Sequence, residues 1–150
     1  MKKKISILII SLVFLTACTK KPITTDEFTS SFDTNTYTVN TYEKGTIDTI
    51  IDGLESGAYI TNGSYTIDFY ILENSTKAHE LFMSEKEEFE ANKDTEVTEN
   101  KESGKNYEIY ELTTSLMYMY TSRIDNTLIY ISANKEDKNE IKDLIKKLGY

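Results

Sequence analysis

Residues 106–150 read NYEIYELTTSLMYMYTSRIDNTLIYISANKEDKNEIKDLIKKLGY, and the fold is decided there. Three runs, 106–113, 116–124 and 127–133, are rich in Tyr, Ile, Thr and Leu and are separated only by Thr114-Ser115 and Asp125-Asn126. Aromatic and β-branched side chains suit a pleated, half-buried surface, and such short polar breaks allow only tight turns. The runs therefore predict an antiparallel meander. Behind them the hydrophobic period lengthens. Ile141, Leu144, Ile145 and Leu148 recur at i, i+3, i+4 and i+7, with Asn134 and Asp137 as start signals and Gly149 as the stop, so a final amphipathic helix follows.

The same order, strands and then a helix, is written earlier in the chain. Tyr65, Ile67, Phe69 and Ile71 alternate with Thr66, Asp68 and Tyr70 within 64–73. Asn62-Gly63 just before them predicts a two-residue type I′ hairpin back to 58–61, because both central residues of that turn need positive φ. The stretch 75–92 is helical, burying Ala78, Leu81, Phe82 and Phe89, and 93–105 is polar without a period and reads as a loop. Upstream, 36–42 reads as a strand, and 47–54 as a short helix through Ile47, Ile50, Ile51 and Leu54, weakened by Gly53. A first short helix covers 25–32, where Thr24 and Glu27 fit a capping box. The expected fold class is α+β: an antiparallel sheet of about five to six strands with two amphipathic helices packed on one face, a two-layer sandwich.

Composition narrows the function. The 150 residues suit one domain, and 39% hydrophobic with 28% charged side chains suits a folded one. Seventeen Lys and Arg against 25 Asp and Glu leave a net charge of −8, the wrong sign for a nucleic-acid partner. A single Cys excludes an intrachain disulfide, a four-Cys zinc site and an iron–sulfur cluster, and no cofactor is expected.

The location is written at the start of the chain. Lys2, Lys3 and Lys4 precede an apolar run over 5–17, whose 13 residues fall short of the roughly 20 a spanning helix needs. The run closes on Leu15-Thr16-Ala17-Cys18, which resembles the lipobox of bacterial lipoproteins. That resemblance implies cleavage before Cys18 and attachment of a diacylglycerol, with further acylation such as palmitate, to it. It implies nothing about activity. The expected organisation is a signal peptide over 1–17, a lipidated tether over 18–24 and one α+β domain over 25–150. Loss of 1–17 removes three lysines and leaves 14 basic against 25 acidic side chains, a balance of −11. Anionic headgroups repel such a body, so the acyl chains do the anchoring, with Lys20 and Lys21 placed to meet phosphates. The expected location is the extracytoplasmic face of the cell membrane. Beyond Cys18 the chain is similar to the small domains of such lipoproteins and carries no motif of a named family.

Chemistry-bearing residues are sparse. His79, mid-helix, is the only His and no Gly-x-Ser-x-Gly elbow accompanies it, so a Ser–His–Asp arrangement has little support. Glu85, Glu87, Glu88 and Glu90 cluster without the loop that calcium favours and read as a solvated helix face, so no metal is expected. Arg123, the only Arg, either clamps a carboxylate or phosphate or pairs with a cross-strand acid such as Glu108 or Glu111. Eleven Tyr are the least ordinary feature, and Tyr118 and Tyr120 share one strand face on which sugars or a protein could stack. Strand preference alone also places Tyr there. The candidate site residues are Cys18 for lipidation and Arg123, Tyr118 and Tyr120 for binding. The expectation is a lipid-anchored envelope protein without catalytic residues, a binding or display module for an envelope protein or glycan. The alternatives are an inhibitor or accessory subunit of an envelope protein, and a carboxylate-dependent hydrolase.

Overall fold

The computed structural model describes residues 19–43, 45 and 51–150. Cys18 lies outside the described residues, as do 47–50 of the helix expected over 47–54. Among the described residues seven strands form one antiparallel sheet: β1 (Thr38–Glu43), β2 (Leu54–Thr61), β3 (Thr66–Leu72), β4 (Thr98–Ser103), β5 (Tyr107–Thr113), β6 (Met117–Ile124) and β7 (Thr127–Asn134), in the order β1-β2-β3-β7-β6-β5-β4. Three α-helices accompany them: α1 (Thr25–Ser30), α2 (Ser75–Ala91) and α3 (Lys138–Leu148). The two halves of the chain join where β7 pairs with β3, Ile67 opposite Ile131 and Phe69 opposite Ile129. These four side chains and Leu128 are fully buried, which is why the two strands sit at the centre.

The two long helices do not share a face: α3, with α1, covers one side of the sheet and α2 the other. Phe28 of α1 and Ile141, Ile145 and Leu148 of α3 pack with Ala58, Ile60, Ile67, Phe69, Ile129 and Ile131 on one side. Ala78, Phe82 and Phe89 of α2 pack with Tyr70, Leu72, Tyr110, Leu112, Met119 and Leu128 on the other. The expected two-layer sandwich with both helices on one face is therefore corrected to three layers. The cause is apolar residues at both parities of the strands: Ile67 and Phe69 point one way, Tyr70 and Leu72 the other, and each face must be covered. The geometry of α2 agrees. Its 17 residues reach about 25 Å, enough to cross the four strand spacings, about 19 Å, between β3 and β4.

Two local expectations are also corrected. The loop expected over 93–105 contains β4, which pairs with β5 from Thr98 opposite Thr113 to Ser103 opposite Glu108. All six β4 residues are exposed, so no buried face imposes an alternation, and charged Glu99, Lys101 and Glu102 guard this edge against further pairing. The Asn62-Gly63 turn is not a two-residue loop, because Thr61 pairs with Thr66 and leaves four residues between the strands. Gly63 has φ +90°, whereas Asn62 caps the loop with its side chain, Oδ1 accepting from the Ser64 and Tyr65 amides at 3.0 and 3.2 Å. Leu54, expected to end a helix, opens β2. Within β2, Gly57 is required by close approach: a Cβ there would stand 2.4 Å from the Phe69 carbonyl oxygen and 3.2 Å from the Tyr42 ring.

The capping box of α1 forms, with the Glu27 amide donating to Thr24 Oγ1 at 3.1 Å and the Thr24 amide to Glu27 Oε2 at 2.8 Å. Ahead of it, the Lys20 amide donates to Asn106 Oδ1 at 3.0 Å, and Asn106 Nδ2 donates to the Lys20 carbonyl at 2.8 Å. Ile23 packs against the core beside α1. From Lys20 onward the segment expected as tether is thus docked on the domain, at the turn between β4 and β5.

Candidate functional site

A cavity of about 300 Å³ opens where α3 stops short of the β4–β5 edge. Its floor is Ile109, Tyr118 and Tyr120 from the sheet, Ile145 from α3, and Tyr150. Lys20, Asn100, Glu102, Glu111, Lys142, Asp143 and Lys146 form its rim. The cause is in the strand pattern. β4 presents no apolar side chain for a helix to cover, so α3 packs farther inward and leaves the aromatic stripe of β6 roofed on one side only.

Ion pairs hold the walls. Glu111 is 8% exposed and sits between Lys138 Nζ at 3.4 Å and Lys142 Nζ at 3.2 Å, fastening α3 to β5. Lys138 also donates to Thr113 at 3.0 Å and lies 5.5 Å from the Tyr118 ring centre. Glu102 accepts the Tyr107 hydroxyl at 2.7 Å, and Lys20 Nζ lies 5.1 Å above the Tyr107 ring. Tyr150 bonds through its hydroxyl to Thr127. The Tyr118 hydroxyl is buried and has no hydrogen-bond partner among the described residues. Burial pushes the phenols of Tyr118, Tyr120 and Tyr150 well above their ordinary range, so all three present neutral hydroxyls to the floor.

Of the sequence candidates, Tyr118 and Tyr120 meet in this cavity, not as a displayed ladder but as buried rings, 0% and 5% exposed, packed under α3. Arg123 is elsewhere, on the α2 face. Its Nε donates to Glu108 Oε2 at 2.7 Å and its Nη1 to the Asp125 carbonyl at 3.3 Å. Glu108 is its partner because the two stand opposite in register, whereas Glu111 points to the α3 side. His79 Nδ1 reaches the same Glu108 oxygen at 2.7 Å. Burial pushes the Glu108 carboxyl up, but its bonds to His79 and Arg123 outweigh this and hold it below its usual value. The trio clasps α2 to the sheet.

The acidic face of α2 is not uniformly solvated. Glu85 is half-buried, and burial, aided by Glu88 and Asp68, pushes its carboxyl up to about 7. Asp68 accepts the Tyr42 hydroxyl at 2.7 Å, and burial raises its carboxyl too, against the bonds from Tyr42 and Tyr70. Neither acid lines the cavity beside α3 or the smaller one, about 180 Å³, between α2 and β4–β5. Among the described residues no three His, Cys, Asp or Glu are arranged to hold a metal ion, and no helix is long and apolar enough to cross a membrane.

Sequence reasoning missed the α3 lysines of this site. Lys138, Lys142 and Lys146 recur every fourth residue beside the Ile141–Ile145–Leu148 stripe, a row at the border of the buried face that was readable in the α3 period. Lys20 was expected to meet headgroup phosphates from its place after Cys18, and only the fold brings it to the start of β5. No family model matches the chain, and no curated protein or solved structure is significantly similar to it.

Proposed function

We propose that the protein is a lipid-anchored component of the extracytoplasmic face of the cell membrane, and that its domain is a non-catalytic binding module whose site is the cavity beside α3. The observation that carries this reading is the place of Lys20. It lines the cavity, it is fixed to Asn106 through its main chain, and it is two residues after Cys18 in the sequence. A diacylglycerol on Cys18 would hold the cavity within about 7 Å of chain from the membrane surface. The absence of a catalytic role is supported by the lining itself: neutral phenols, aliphatic groups, Glu102 and Glu111 already engaged by Tyr and Lys, and a single exposed Asp143, with His79 on the other face. The test is acyl labelling of the full chain beside its Cys18→Ala variant. Label and membrane recovery in the parent, both lost in the variant, are expected; membrane association unchanged in the variant contradicts the reading.

A second reading, an accessory subunit for a neighbouring envelope protein, is favoured by Leu116. This side chain is 75% exposed on the β5–β6 turn, at the opposite end of β5 from Asn106. Cross-linking through a photoreactive residue at 116 should capture one discrete membrane partner under this reading and none under the first.

A further inference from the structure

The charges around the cavity are unequally spent. Glu111 is paired with two lysines, whereas Glu102 accepts a tyrosine hydroxyl and keeps its negative charge. Lys146 has no ion pair among the described residues, and the ammonium of Lys20 rests only over an aromatic ring. Asp143 is a second opposing rim charge, and it is exposed. Below the rim, the Tyr118 hydroxyl is fully buried and unpartnered among the described residues. The groups left to serve an anionic ligand are therefore the ammonium groups of Lys20 and Lys146, over an aromatic and aliphatic floor, with the carboxylates of Glu102 and Asp143 on the same rim. That combination suits an anionic oxygen-rich head on a short, partly apolar body.

We infer that the cavity seats the phosphate headgroup of an anionic phospholipid, held between Lys20 and Lys146 with the headgroup's terminal glycerol, as in phosphatidylglycerol, reaching over Tyr120 toward Tyr118. This deepens the proposed function and rests on it, because the lipid source follows from the two-residue separation between Lys20 and Cys18. Lys105, exposed at the β4–β5 turn beside Asn106, adds a cation at the same end. The body as a whole is acidic and is repelled by an anionic surface, but charges farther than about 8–10 Å are screened at physiological salt, so a local lysine group acts at short range. A seated headgroup turns a flexible anchor into a fixed orientation, with the α3 side of the β4–β5 end against the bilayer and the Leu116 turn pointing away.

The test is lysine acylation footprinting of the native lipidated protein in nanodiscs of phosphatidylglycerol and, separately, of phosphatidylcholine. Lys20 and Lys146 should be protected about fivefold in phosphatidylglycerol relative to phosphatidylcholine, in line with the attraction of a single lysine to an anionic surface. Lys135, exposed at the far end of the sheet, should label equally in both. Equal labelling of Lys20 and Lys146 in the two bilayers overturns the inference. Protection in phosphatidylcholine discs on adding free glycerol phosphate also overturns it, in favour of a soluble phosphate ester. A protein that leaves the discs during gel filtration shows instead that the anchoring reading has failed, a separate outcome.

Discussion

Glu85 makes the domain's stability depend on pH in a direction opposite to that of most carboxylates. It lies on the sheet side of α2, with Asp68 of β3 across from it and Glu88 on its own helix, and Tyr70 and Tyr130 nearby. Burial, then the two like charges, raise its carboxyl from the ordinary 4.5 to about 7. The folded chain therefore holds this proton more tightly than the unfolded one. The contribution to stability is complete below pH 4.5 and is lost as pH rises through about 7. A rise of that size corresponds to at most about 3 kcal/mol, and partial exposure with solvent screening brings the expected figure to about 1–2 kcal/mol. Glu85→Gln mimics the protonated acid at every pH. Urea melts at pH 4 and pH 8 should show the variant within error of the parent at the lower pH. At the higher pH it should be more stable, its midpoint shifted upward by about 1 M for a typical urea slope. A Glu85→Gln effect of the same size at both pH values would refute the assignment of a raised carboxyl.

The remaining predictions concern packing and the clasp. Gly57→Ala forces a methyl against the Phe69 carbonyl oxygen and the Tyr42 ring, so thermal and urea melts should show a loss of about 2–4 kcal/mol. Tyr118→Phe removes a buried hydroxyl that has no partner among the described residues and should leave stability unchanged or raise it by about 1 kcal/mol, while Tyr150→Phe breaks the bond to Thr127 and should lower it by about as much. Arg123→Met severs the bond to Glu108 and should cost about 1–2 kcal/mol in chemical denaturation, with faster amide exchange in α2 than in α3.

Much of the fold was legible because burial imposes a period. The runs 106–113, 116–124 and 127–133 became β5, β6 and β7 within a residue or two, and Ile141, Ile145 and Leu148 became the buried stripe of α3. The capping box at Thr24 and Glu27 was readable because its two bonds are local. β4 was not, because none of its side chains is buried and pairing through the backbone leaves no trace in residue type. The sharing of helices between two faces was written in the second parity of the strands, in Leu72, Met119 and Leu128, but it was masked by Tyr, Thr and Met, which suit either side. For the site, the shared face of Tyr118 and Tyr120 was visible, while its depth, its α3 lysines and the seat of Lys20 beside them were not. Those depend on where α3 comes to rest and on the docking of Lys20 against Asn106, contacts made across 86 residues of chain. Arg123 was readable as a cross-strand partner of an acid, and only the register decides for Glu108 over Glu111.

The central claim, that a lipid on Cys18 holds a lysine-rimmed cavity at the membrane surface, is tested most directly by intact mass measurement of the protein extracted from its native membrane. The account predicts a chain beginning at Cys18 and carrying a diacylglycerol with or without a further acyl group. A mass that retains Met1 and an unmodified thiol contradicts it.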